Sequence, residues 1–147
     1  MLRISGTEVV LWLHIIAASV WIGGQMTVAA VIPALRHHPG LARSAGNRYQ
    51  IIAWPAYVVL ALTGIANVGN AGLQWSHLLD SAVGRTLAVK LGFVGLSGLA
   101  AAVHAFLQAP RRSADATSRP VASALLGSIS LLAALVAALY GVAIAKA

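Results

Sequence analysis

Four long apolar stretches constrain this chain more than any other feature of its sequence. They lie near residues 9–35, 51–68, 86–107 and 121–145. Each can cover the roughly 20 residues that an α-helix needs to cross about 30 Å of hydrocarbon. The sequence therefore predicts an all-α fold, a four-helix transmembrane bundle that forms one integral membrane domain over residues 1–147.

Composition supports a membrane protein over a soluble one. Hydrophobic residues make up 59% of the chain and charged residues only 9%, against roughly a quarter charged in ordinary globular proteins. The net charge of +7 comes from basic residues in the gaps between apolar stretches, where they meet anionic lipid headgroups. No basic stripe marks a nucleic-acid surface. The expected partners are the lipid bilayer and either other membrane subunits or further copies of the chain.

The side chains available for chemistry are few. The chain has no cysteine, which excludes disulfides, iron–sulfur clusters and thiolate metal sites. Met1 and Met26 are the only methionines, too few for a thioether path for Cu(I). The carboxylates Glu8, Asp80 and Asp115 lie near or beyond the helix ends, and none is paired for general acid–base catalysis. This pattern favours a protein that is not an enzyme.

Basic residues predict the orientation. Cytoplasmic loops of membrane proteins are enriched in lysine and arginine. The loops after the first and third stretches carry six basic residues, and the other side carries three: Arg36, Arg43, Arg48, Arg111, Arg112 and Arg119 against Arg3, Arg85 and Lys146. The prediction is that both termini lie on the outer side of a bacterial inner membrane.

Ionisable residues inside a bilayer are costly and mark candidate functional sites. His14 and Lys90 lie at similar depths near the outer ends of the first and third helices, on stripes that face the bundle interior. Thr63, Asn67 and Tyr140 reach the same level, so the sequence predicts one outer polar cluster beneath the loop that carries His77.

His104 belongs near the cytoplasmic side, about 20 Å below His14 at a rise of 1.5 Å per residue. It therefore lies close to the loop with His37 and His38, and it cannot share one ion with His14. Simpler roles remain open: His14 as a hydrogen-bonding residue between helices, Lys90 as a side chain that reaches the headgroups, and the other histidines as interfacial residues.

Small residues predict where helices approach each other closely, as is usual in membranes. The glycines expected at packing positions are Gly23, Gly24, Gly64, Gly92, Gly95 and Gly98. Trp21 is also expected to pack between helices.

Three segments, LHIIAASVWIGGQ, TGIANV and GRTLAVKLGFVGLSGLAAAVHAF, resemble the membrane domain of CopD-type (copper resistance protein D) proteins. The resemblance covers roughly Leu11–His104. The helix-1 histidine with a helix-3 lysine is more distantly similar to HemJ-type protoporphyrinogen oxidases. By position, the resemblance implies roles for His14, Trp21, Gly23, Gly24, Thr63, Gly64, Arg85 and Lys90.

Two departures qualify the resemblance. CopD-type proteins are usually larger and have more helices. HemJ-type proteins carry an aromatic-rich stretch after the helix-1 glycine, whereas this chain reads QMTVAAVIPAL, which favours the CopD type.

The resemblance to CopD implies copper handling, with His14 as an outer ligand, His77 assisting entry, and His104 with His37 or His38 assisting exit. The HemJ-like alternative is a haem b protein in which His14 is an axial ligand and Lys90 and Arg85 hold the propionates. A third alternative is a non-catalytic accessory subunit of a larger respiratory or photosynthetic membrane complex.

Overall fold

Four α-helices make up almost all of the described chain. The computed structural model describes residues 3–35, 37–73, 75–108 and 120–146. The helices are α1 (Gly6–Ala34), α2 (Pro39–Asn70), α3 (Ala82–Gln108) and α4 (Pro120–Ala145), with a 3₁₀ turn at Trp75–His77. The described residues contain no β-strand.

Each of the four helices is long and apolar enough to cross a membrane. Many large apolar side chains point away from the protein, among them Ile51 at 72% exposure and Phe106 at 71%. Hydrocarbon is the solvent that such a surface requires. The chain is therefore a multi-pass membrane protein with its helices in contact with lipid, while the orientation of its termini stays a prediction.

The start of α1 lies before the predicted residue 9 because the sequence SGTE forms a capping box. The backbone amide of Ser5 donates to the Glu8 carboxylate at 2.7 Å, and the Glu8 amide donates to the Ser5 hydroxyl at 3.3 Å. These two bonds satisfy amide groups that a helix start otherwise leaves unpaired. The helix then continues to Ala34, with Pro33 in its last turn.

The start of α2 lies well before the predicted residue 51. Pro39 occupies the first helical turn, where its fixed φ and missing N–H suit a helix start. The following polar turns, which carry Arg43 and Arg48, are helical although they are not apolar.

The helices pack in sequential pairs, and contacts divide the chain into the units Met1–Leu78 and Leu79–Ala147. In the first unit α1 packs on α2 around Trp21, which is 2% exposed. Its ring centroid lies 5.8 Å from that of Trp54 and 4.6 Å from that of Tyr57. In the second unit α3 packs on α4, with Ser97 and Ser130 each only 1% exposed. The prediction of a single membrane domain is not tested by these contacts.

Candidate functional site

Within the α1–α2 pair, the structure brings together His14, Thr63 and Gly64, which we call the His14 site. The Nδ1 atom of His14 lies 2.9 Å from the hydroxyl oxygen of Thr63. A Cβ atom on Gly64 would lie 3.4 Å from Cε1 of the imidazole, so the ring packs against bare helix backbone. The imidazole is half-buried and Thr63 is 9% exposed. The site therefore holds an imidazole between two apolar helices.

The hydroxyl of Thr63 also contacts its own helix. Its Oγ1 lies 2.6 Å from the carbonyl oxygen of Val59 and 3.3 Å from that of Leu60. Back-bonding of this kind is common for threonine in helices. Because it fixes the hydroxyl, it also fixes the point that His14 contacts.

Within the α3–α4 pair lies a second imidazole, in the His104 site formed by His104, Gln108, Ser123 and Gly127. The Nδ1 atom of His104 lies 2.9 Å from the backbone carbonyl oxygen of Ser123. The amide of Gln108 donates to the Ser123 hydroxyl at 2.9 Å. A Cβ atom on Gly127 would lie 3.9 Å from the imidazole. Both histidines are thus oriented through Nδ1 by an oxygen of the next helix.

Lys90 lies in the same pair of helices as His104. It is half-buried, and its Nζ would be 3.2 Å from a Cβ atom on Gly141 of α4. Nearby in the sequence, Phe93 stacks on Tyr140 with ring centroids 6.0 Å apart. Arg85 is exposed and donates through Nη1 to the carbonyl oxygen of Leu79 at 3.2 Å.

The outer cluster predicted from sequence is distributed over both units. Thr63 contacts His14 in the first unit, and Asn67 is half-buried one turn further along α2. Lys90 and Tyr140 belong to the second unit. That these two groups form one cluster stays a prediction, as does the haem arrangement of His14 with Lys90 and Arg85.

The other histidines have different surroundings. His37 and His38 are exposed just before α2, and His38 is the residue that precedes its first turn. His77 ends the 3₁₀ turn. In the part of the chain that the structure describes, no three His, Cys, Asp or Glu side chains form a group that could hold a metal ion. A role for His14, His77 or His104 in metal binding stays a prediction.

The predicted packing glycines differ in their surroundings. A Cβ atom on Gly24 would collide with the ring of Tyr49, whereas one on Gly23 would meet no described atom within 4 Å. Gly98 is buried, but Gly92 and Gly95 are exposed. Sequence reasoning did not find Tyr49, Ser123 or Ser130. Their signal was weak because a tyrosine before an apolar stretch, or a serine in an alanine-rich helix, has many ordinary roles.

The family model for copper resistance protein D (CopD) matches residues 43–146, which include most of α2 and all of α3 and α4. The matched residues begin after α1 and do not include His14. A functional role for His14 is therefore supported by its geometry and by the sequence resemblance of the α1 segment to CopD-type proteins. No curated protein and no solved structure matches the chain. Because the family match spans most of the sequence, the chain belongs to the CopD family and is a membrane protein of the copper-resistance type.

Proposed function

We propose that this protein passes copper ions by binding them transiently at imidazoles of its membrane helices, with His14 as the principal ligand and His77 and His104 as further ligands. Membership of the CopD family supports a relation to copper. Imidazole is a good copper ligand, and the chain has no cysteine that would compete with it.

The observation that carries the proposal is the His14 site. Placing an imidazole between apolar helices costs free energy unless the ring is hydrogen-bonded. Ionisable residues inside a membrane are therefore rare and usually mark functional sites. His14 is oriented by Thr63 at 2.9 Å and packs against Gly64. Metal-binding histidines typically have one ring nitrogen held by a neighbouring group in this way.

Passage of an ion requires weak ligation at successive points, since a tightly held ion does not leave. The proposal therefore requires that a single imidazole binds the ion weakly at each point, and it does not require a complete set of ligands at one site. His14 and His104, which lie in different helix pairs, act as separate ligands. The copper ion is the transported species and not a resident cofactor.

Substitution of His14 tests the proposal. We expect His14→Ala to remove the Cu(I) ion bound at His14 and so to lower the stoichiometry of Cu(I) binding by the purified protein, measured by competition with a chromophoric chelator in detergent. His104→Ala should slow copper uptake into proteoliposomes. Ser19→Ala is the matched control, because Ser19 is exposed on α1 and its hydroxyl donates to the Ile15 carbonyl of the same helix at 2.9 Å. Unchanged copper binding in folded His14→Ala protein would refute the proposal.

A further inference from the structure

The hydroxyl of Thr63 has one proton, and the structure indicates where that proton lies. Its oxygen is 2.6 Å from the carbonyl oxygen of Val59. Two oxygens approach this closely only with a hydrogen between them, and a carbonyl oxygen cannot supply it. Thr63 therefore donates to Val59.

Since that proton is used, Thr63 can only accept a hydrogen bond from His14. The 2.9 Å contact then runs from Nδ1–H of His14 to the Thr63 oxygen. A neutral imidazole protonated at Nδ1 carries its lone pair on Nε2. The contact with Thr63 therefore selects one of the two tautomers.

We infer that Thr63 is a positioning residue that holds His14 in the tautomer protonated at Nδ1 and thereby makes Nε2 the nitrogen that binds copper. This inference rests on the proposed function for its copper-binding part. The choice of tautomer is a property of the protein without metal and can be tested separately.

The His104 site follows the same rule with a different acceptor. The Nδ1 atom of His104 lies 2.9 Å from the backbone carbonyl oxygen of Ser123. A carbonyl only accepts, so Nδ1 of His104 carries the proton and Nε2 carries the lone pair. Because a substitution at Thr63 leaves this backbone acceptor in place, His104 is an internal reference in the same molecule.

The test compares Thr63→Val with Thr63→Ser. Valine has nearly the same shape as threonine without the acceptor, and serine retains the hydroxyl. We would label the histidines of the full-length protein with ¹⁵N and record their ring signals at mildly alkaline pH in detergent micelles. The His14 signals are assigned by their loss in His14→Ala. Cu(I) affinity is measured on the same samples.

We expect Thr63→Val to convert His14 from one tautomer to a mixture, to leave His104 unchanged, and to weaken Cu(I) binding about 10- to 100-fold, the usual effect of losing a group that orients a metal ligand. Thr63→Ser should retain both the wild-type tautomer and most of the affinity.

Each alternative result has a definite meaning. An unchanged His14 tautomer in Thr63→Val overturns the inference, and so does a changed tautomer with unchanged affinity. Equal losses in the valine and serine variants would assign the effect to packing and also overturn it. If His14→Ala binds copper normally, the proposed function fails, whereas the tautomer measurement still decides whether Thr63 sets the protonated nitrogen.

Discussion

The ring of Tyr49 fills the space that a side chain on Gly24 would need. The two residues lie on α2 and α1, and a Cβ atom on Gly24 would overlap the tyrosine ring. The hydroxyl of Tyr49 donates to the backbone carbonyl of Trp21 at 3.2 Å. Gly24 therefore permits the tyrosine to reach the α1 backbone.

Replacement of Gly24 should loosen the α1–α2 pair. We expect Gly24→Ala to lower the free energy of unfolding by about 1–3 kcal/mol, the usual cost of overpacking. Gly23→Ala is the control, since a Cβ there meets no described atom within 4 Å. SDS-induced unfolding in mixed micelles, followed by circular dichroism, measures both. Equal stability of the two variants would contradict the packing role of Gly24.

The buried serines should stabilise the α3–α4 pair. Ser130 donates to the backbone carbonyl of Ser97 at 2.9 Å, and the two hydroxyl oxygens are 3.2 Å apart. Hydrogen bonds between membrane helices are worth about 0.6 kcal/mol on average and up to about 1.7. We expect Ser130→Ala to lower the free energy of unfolding by about this amount. In a double-mutant cycle, Ser97→Ala and Ser130→Ala should be less than additive; full additivity would show that the hydroxyls are not coupled.

If Lys90 lies beside His14, as the sequence predicts, its substitution distinguishes copper from haem chemistry. A protonated amine disfavours a nearby cation but pairs with a propionate. For a copper site, Lys90→Met should leave Cu(I) affinity unchanged or higher. For a haem site, the same substitution should weaken retention of haem b, measured by the Soret absorbance of the purified protein. A Soret band in the wild-type protein that is lost in His14→Ala would favour haem over copper.

If neither ligand binds at His14, the accessory-subunit alternative gains support. The wild-type protein would then co-purify with larger membrane subunits when it is extracted in mild detergent from its native membrane. Absence of such subunits, together with copper binding, would contradict that alternative.

The topology prediction concerns Arg36, Arg43 and Arg48, which lie before or within the first turns of α2, and the three arginines that follow α3 in the sequence. We expect an alkaline phosphatase fusion after Lys146 to be active and a green fluorescent protein fusion there to be dark, because both termini are predicted outside. A fusion at residue 112, in the predicted cytoplasmic loop, is the control and should give the reverse pattern. Fluorescence from the C-terminal fusion would refute this orientation.

The number and approximate position of the helices followed from hydropathy alone, because crossing hydrocarbon imposes a minimum apolar length. The first residues of the helices did not follow from hydropathy. α2 begins at Pro39 and not near residue 51, since a polar segment outside hydrocarbon can continue a helix without contributing apolar residues. The capping box at Ser5 and Glu8 was a readable signal for the start of α1.

For the candidate site, the rise per residue placed His14 and Thr63 at one level, and the structure brings them together at 2.9 Å. The partner of His104 was hidden for a physical reason. Its acceptor is the backbone carbonyl of Ser123. Because every residue has such a carbonyl, the amino-acid sequence does not indicate which residue accepts this hydrogen bond. The Tyr49 contact was missed because Tyr49 lies in the helical segment that hydropathy did not include.

The length of α2 gives this protein a tolerance for bilayers of different thickness. Its 32 residues extend about 48 Å at 1.5 Å per residue, against about 30 Å of hydrocarbon. The excess lies in polar turns that already have their backbone hydrogen bonds, and Arg43 and Arg48 can reach toward headgroups. A thicker membrane therefore covers more of a helix that is already formed, and a thinner one uncovers it, so hydrophobic mismatch at this end requires no refolding of the chain.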